Sequence, residues 1–266
     1  MFVAVGAVLI LAILALGATS SVMQELRLAR AVSRTDEAYY AMQAALAIAD
    51  VVGPCRLPTY ISLNHMHDDK VVFGDQTLLI RRFDEAALLP LRQASAEELA
   101  RLPGLQKGRI ANDLAEAVIF VKEDARRVSG VTPELYAQFA PFVTIFSSGQ
   151  VNINTSPPTV LAALGMAEGL IQSIQKLRAG PDKREGTTDD HYFAQPETIA
   201  AELQKETGIS ESEAAMVAGL VAQGKLGVNS YYIRFEAFLV RGDRTEKAGA
   251  VVVFLPTWRT VAWLQN

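Results

Sequence analysis

The first 24 residues, Met1 to Gln24, carry no charged side chain, and Glu25 is the first ionisable group. Phe2, Val3, Val5, Val8, Leu9, Ile10, Leu11, Ile13, Leu14 and Leu16 fill the run. A helix needs about 20 such residues to cross a bilayer, so this stretch is expected to be an anchor. A signal peptide is the rival reading. Its apolar region runs about 7–15 residues behind a basic segment and ends at small residues. Ala18-Thr19-Ser20 offers such an end, but nothing basic precedes the run, which is also long for that role.

The chain is not expected to turn after the anchor. Leu28, Val32, Tyr39, Met42, Leu46 and Ala49 recur at spacings of three, four and seven, which predicts one apolar face on a helix over 24–52. Arg27, Arg30, Arg34, Asp36 and Glu37 lie mainly off that face, and Gly53-Pro54 ends the helix. The C-terminal half of the face is expected to pack on the protein's own domain. The N-terminal half, around Leu28, Val32, Tyr39 and Met42, is expected to meet other subunits. The arginines that follow the anchor, taken by themselves, would hold the bulk of the chain in the cytoplasm.

Half of the 266 residues are hydrophobic, enough for a large core once the anchor is set aside. The formal charge is −4, so no overall basic field draws nucleic acid or anionic lipid. Cys55 is the only cysteine, which excludes an intrachain disulfide.

Val71-Val72-Phe73 and Thr77-Leu78-Leu79-Ile80 flank Gly74-Asp75-Gln76, a hairpin signal. Helical patterns dominate from about 95 to 222. Three apolar runs, 231–240, 249–255 and 260–264, then read as strands. The expectation is an α+β protein with a sheet from distant parts of the chain packed on the stalk helix. Its parts would be an anchor at 1–23, stalk and first strands at 24–85, an inserted all-helical domain at 86–225, and closing strands at 226–266.

Residues 91–122 and 151–178 look like diverged copies of one unit. Each has a Ser or Thr near a helix start (Ser95; Thr155, Ser156), a glycine turn (Gly104; Gly165) and a second helix. This is the layout of a helix-hairpin-helix unit, a SAM-like repeat that often binds DNA backbones. Val151-Asn152-Ile153-Asn154-Thr155 opening the second copy resembles competence-type DNA receptors, which are also membrane anchored. Against DNA, neither turn carries a second glycine two positions on. Arg92, Arg101, Lys107, Arg109 and Lys122 are also opposed by Glu97, Glu98, Asp113, Glu116, Glu123 and Asp124.

His65-Met66-His67-Asp68-Asp69 reads as a solvated loop. Asp182, Asp189 and Asp190 lie in a hydrophilic loop where close carboxylates could supply oxygen ligands to Ca²⁺, although the spacing fits no EF-hand. No G-x-S-x-G, Walker loop or H-E-x-x-H is present, and the expectation is a protein that is not an enzyme.

The ordered set of features resembles one family, the minor pseudopilin K of the bacterial type II secretion system. The carriers are Leu26-Arg27-Leu28-Ala29-Arg30 and Ala41-Met42-Gln43-Ala44-Ala45-Leu46 in the stalk, and Val128-Ser129-Gly130-Val131-Thr132-Pro133-Glu134-Leu135-Tyr136. To these are added Val151-Asn152-Ile153-Asn154-Thr155-Ser156-Pro157, with Asn152, Asn154 and Thr155 as structural motif residues, and Asn229-Ser230-Tyr231-Tyr232-Ile233-Arg234-Phe235-Glu236-Ala237. The family's Asp-Glu-x-Gly-Lys-x-Asn-type segment is altered here to Asp84-Glu85-Ala86-Ala87-Leu88-Leu89.

The resemblance implies a single-pass subunit of the bacterial inner membrane with its soluble domain in the periplasm. It would cap the tip of a secretion pseudopilus with I- and J-type minor pseudopilins, then the H-type and the major pseudopilin. It implies no required cofactor, with Ca²⁺ as a ligand some members bind, and no nucleic acid. It also implies a short basic leader ahead of the anchor, which would reverse the charge asymmetry noted above. The glutamate that most pilin-like anchors carry five residues in is absent here. That suits a position with nothing stacked above it, since an unpaired carboxylate in hydrocarbon is costly.

Overall fold

In a computed structural model the described residues are 23–25, 27, 40, 43, 69–73, 76–106, 109–185, 187, 189–241, 244–254 and 259–264. Residues 23–25, 27, 40 and 43 have helical backbone. The expected anchor and the stalk-face residues Leu28, Val32, Tyr39 and Met42 lie outside the described residues, as do Cys55, His65 and His67. Among the described residues no helix is long and apolar enough to cross a membrane.

Five antiparallel strands form the main sheet in the order β1-β2-β7-β8-β9. They are β1 (Asp69–Phe73), β2 (Gln76–Asp84), β7 (Tyr232–Arg241), β8 (Arg244–Phe254) and β9 (Arg259–Leu264). Period-two alternation explains the pairing of β2 and β7: Leu78 and Ile80 on β2 and Ile233, Phe235 and Ala237 on β7 are buried. The opposite face is polar and aromatic. There Arg81 lies 4.8 Å over the Phe238 ring and Arg234 lies 4.8 Å over that of Phe83. Val251, Val252 and Val253 on β8 are buried in succession, the pattern of a strand covered on both faces.

Strands β2 and β7 are neighbours in the sheet, and Asp84 pairs with Ile233 across them. Everything between these residues is one insertion. It holds the helices α1 (Ala96–Ala100), α2 (Ile110–Glu116), α3 (Pro133–Phe139), α4 (Pro158–Ala163), α5 (Glu168–Arg178), α6 (Ile199–Thr207) and α7 (Glu211–Ala222). Two short parallel pairs stitch it together. β3 (Leu89–Pro90) joins β4 (Val143–Thr144), and β5 (Val151–Asn152) joins β6 (Leu226–Gly227). Through β6 the structure ties residues 226 and 227 to the insertion rather than to the main sheet. A single core runs through it, with Leu99, Leu114, Phe139, Val143, Ile153, Leu161, Ile174, Phe193, Leu203, Val217 and Leu226 fully buried.

The expected glycine turns are present at both places. Gly104 has φ 82° and Gly165 φ 92°, a left-handed conformation that glycine adopts without a Cβ penalty. A Cβ on Gly104 would lie 2.6 Å from Leu135 Cδ1, so any side chain there would displace the tip of Leu135 on α3. The first unit starts on a capping box: the Glu98 amide donates to Ser95 Oγ at 3.3 Å and the Ser95 amide to Glu98 Oε2 at 2.7 Å. The second departs from expectation. Pro157 precedes α4 with no side-chain cap, and Thr155 and Ser156 point elsewhere.

A candidate site at the junction of sheet and helices

Strand β2 ends at Asp84 because its carboxylate stops the ladder. Oδ1 accepts the Ala86 amide at 2.8 Å and starts a 3-10 turn at Glu85–Ala87. Oδ2 accepts three further donors: Asn152 Nδ2 at 3.0 Å, Thr155 Oγ1 at 2.5 Å and Ser230 Oγ at 2.5 Å. The donors come from β5, the loop before α4 and the approach to β7, so one buried carboxylate ties both ends of the insertion to the sheet. Burial raises the Asp84 pKa above the usual aspartate range, against the pull of its hydrogen bonds.

The two motif asparagines have separate tasks. Asn152 also accepts the Asn154 amide on Oδ1 at 3.0 Å. Asn154 turns away and pairs with the backbone of Phe193, donating to its carbonyl at 3.0 Å and accepting its amide at 2.8 Å. Ser156 Oγ donates to the Ala87 carbonyl at 2.8 Å. The buried Arg178, at the end of α5, donates to the Ser156 carbonyl at 2.8 Å and to Glu185 Oε2 at 3.0 Å. Asn152, Asn154 and Thr155 are therefore buried fasteners.

Beside this hub lies a cleft of about 560 Å³, within the ordinary range of ligand-sized clefts. Phe83, Leu88, Pro141, Pro157 and Pro158 give it apolar walls, and Lys122, Arg178 and Arg234 give it positive charge. Arg234 Nη1 stands 3.3 Å from Glu85 Oε1, and the Thr144 hydroxyl donates to the other oxygen of Glu85. Desolvation lowers the pKa of Lys122.

Asp182, Asp189 and Asp190 fall in one loop, where their carboxylates take hydrogen bonds from the loop itself. The Arg184 amide donates to Asp182 Oδ1 at 2.8 Å, and the Asp182 amide donates to Asp189 Oδ2 at 3.2 Å. The Thr187 hydroxyl serves Asp189 Oδ1 at 2.6 Å, with Asp190 Oδ1 at 3.3 Å. Among the described residues no three His, Cys, Asp or Glu side chains form a metal-holding group. These carboxylates close the loop, which turns on Gly180, where a Cβ would meet the Asp189 carbonyl at 2.4 Å.

His191 Nε2 lies 3.1 Å from Glu202 Oε2, and the Thr198 hydroxyl donates to the other oxygen of the same carboxylate. Both groups therefore end on the acid, whereas a nucleophilic relay places the histidine between hydroxyl and carboxylate.

Asp84, Ser230, Arg178 and Lys122 are the site residues that sequence reasoning did not single out. The available signal was a carboxylate pair, Asp84-Glu85, placed directly after an apolar strand.

The fold thus defines an α+β protein in which a helical domain interrupts an antiparallel sheet between adjacent strands. A chain of the crystal structure of the GspK-GspI-GspJ complex, from the enterotoxigenic Escherichia coli type 2 secretion system, has this fold. The TM-score is 0.61 at 14% identity, over 89% of this chain and 99% of that one. No family model and no curated protein matches the sequence.

Proposed function

We propose that this chain is a K-type minor pseudopilin, a non-enzymatic structural subunit at the tip of a type II secretion pseudopilus. The observation that carries the reading is the position of the insertion. A bulky helical domain emerges between two paired strands, in a fold shared over 89% of the chain with a member of the GspK-GspI-GspJ complex. In this reading the charge-free run at 1–23 is a single transmembrane helix in the bacterial inner membrane, and the soluble part faces the periplasm. The stalk face of Leu28, Val32, Tyr39 and Met42 meets I- and J-type minor pseudopilins, with H-type and major subunits below. The two glycine-turn helix pairs are helix-hairpin-helix units that serve as scaffold.

The cellular test is deletion of the gene from its own organism, followed by fractionation. The expected result is accumulation of type II substrates in the periplasm, with export restored by the full chain. Unchanged export in the deletion strain contradicts the proposal.

A further inference from the structure

Between α2 and α3 the chain presents an apolar run at the surface. Ile119 is buried, but Val118, Phe120 and Val121 are 76%, 73% and 50% exposed. The backbone beneath them is fixed from two sides. Arg92 Nε donates to the Ile119 carbonyl at 2.7 Å and Nη2 to the Phe120 carbonyl at 2.6 Å. The amides of Phe120 and Val121 donate to Asp124 Oδ2 at 2.9 and 3.0 Å, and Arg127 holds the other oxygen at 3.1 Å. A hydrophobic surface ordered in advance loses little entropy on binding.

The next residue, Lys122, lines the junction cleft. Its neighbours there are paired: Arg178 with Glu185 at 3.0 Å, and Arg234 with Glu85 at 3.3 Å. The Lys122 ammonium has no hydrogen bond or ion pair among the described residues, and Glu85 acts on it only as a nearby charge. Lys122 is half-buried, and the nearby Glu85 is already engaged by Arg234 and Thr144, so an incoming anion would complement a cation that holds no direct partner.

We propose that residues 118–122 and the adjoining cleft form a docking surface for a protein segment that carries a carboxylate beside apolar side chains. Val118, Phe120 and Val121 take the apolar groups and Lys122 takes the carboxylate. Shape selects a protein segment over a membrane, since Lys122 lies in a cleft walled by Phe83, Leu88, Pro141, Pro157 and Pro158, which a peptide enters and a flat lipid surface does not. The proposal does not depend on the secretion reading.

The test is carbodiimide coupling on the full chain in detergent, which joins a carboxylate to a lysine amine as an amide and transfers the water lost to the carbodiimide. The probes are acetyl-Gly-Phe-Asp-Leu-amide, with a side-chain carboxylate, and acetyl-Gly-Phe-Leu-Leu, with a terminal one. Acetate reports the intrinsic reactivity of each lysine, and peptide mapping by mass spectrometry locates the adducts. Relative to acetate, Lys122 is expected to couple to one or both peptides about tenfold more than the exposed Lys205, an affinity gain of about 1.4 kcal/mol. Which peptide couples better identifies the source of the carboxylate. Phe120→Ser, a surface change, is expected to abolish the preference. Equal relative labelling of Lys122 and Lys205, or a preference untouched by Phe120→Ser, overturns the proposal. Chain-to-chain adducts through Lys122 without added peptide would overturn it in favour of a second copy as occupant.

Discussion

The helix pairs α1–α2 and α4–α5 begin from similar sequence and use it differently. Both have hydroxyl residues before the first helix and a left-handed glycine after it, at Gly104 and Gly165. In the first pair Ser95 caps its own helix in a reciprocal box with Glu98. In the second, Thr155 and Ser156 reach out of the unit to Asp84 and the Ala87 carbonyl, and Pro157 takes over the helix start. The difference shows that similar local sequence can serve different ends. One helix pair caps itself, and the other directs its hydroxyls into the joint between insertion and sheet. The two pairs also touch, since Arg101 Nη1 from the first donates to the Ala163 carbonyl at the end of α4, at 3.2 Å.

The largest effect should come from breaking the joint at its centre. Asp84→Ala removes the acceptor that Asn152, Thr155 and Ser230 share, and is expected to cost about 3 kcal/mol or more by urea unfolding of the full chain. Thr155→Val removes one charge-assisted bond, a loss of about 2 kcal/mol. If the hub is one unit, adding Thr155→Val to Asp84→Ala costs much less than the sum of the two. A fully additive double mutant would show that Thr155 acts elsewhere.

Ser95→Ala removes only a local cap and is expected to cost about 1 kcal/mol. A larger loss than for Thr155→Val would reverse the contrast between the two helix pairs. The smallest change expected is Arg109→Gln on α2, about 0.5 kcal/mol or less, because its 3.2 Å pair with Asp113 lies at the surface.

Asp84 also gives the joint a pH signature. A carboxyl with a raised folded pKa holds its proton more tightly folded than unfolded. Its contribution to stability is therefore greatest below the ordinary aspartate range, and falls as pH rises through the window up to the raised value. Asp84→Asn, which keeps the shape and removes the titration, is expected to flatten unfolding free energy across that window. A slope unchanged by Asp84→Asn would assign it to other groups.

Much of this layout can be read from local pattern. Alternation marks β2 and β7, and the glycines mark both turns, because these signals span only a few residues. The joint is invisible to such reading. Asp84 meets Asn152, Thr155 and Ser230 across 68, 71 and 146 positions, and no periodicity encodes those distances. The two-residue parallel strands escape for the same reason, since Val151–Asn152 becomes a strand only when Leu226–Gly227 lies beside it. The acidic loop is the opposite case, since Asp182, Asp189 and Asp190 are close in sequence and their hydrogen bonds come from backbone amides and Thr187 of the same loop.

The proposed role of this chain is to sit with other minor pseudopilins. It is tested most directly by size-exclusion chromatography with light scattering. The full chain in detergent would be run alone and mixed with the I- and J-type subunits of the same organism. The account predicts a single peak with the mass of a one-to-one-to-one complex, lost when Leu28 and Val32 are changed to aspartate. Three separate peaks at every salt and calcium concentration would contradict it.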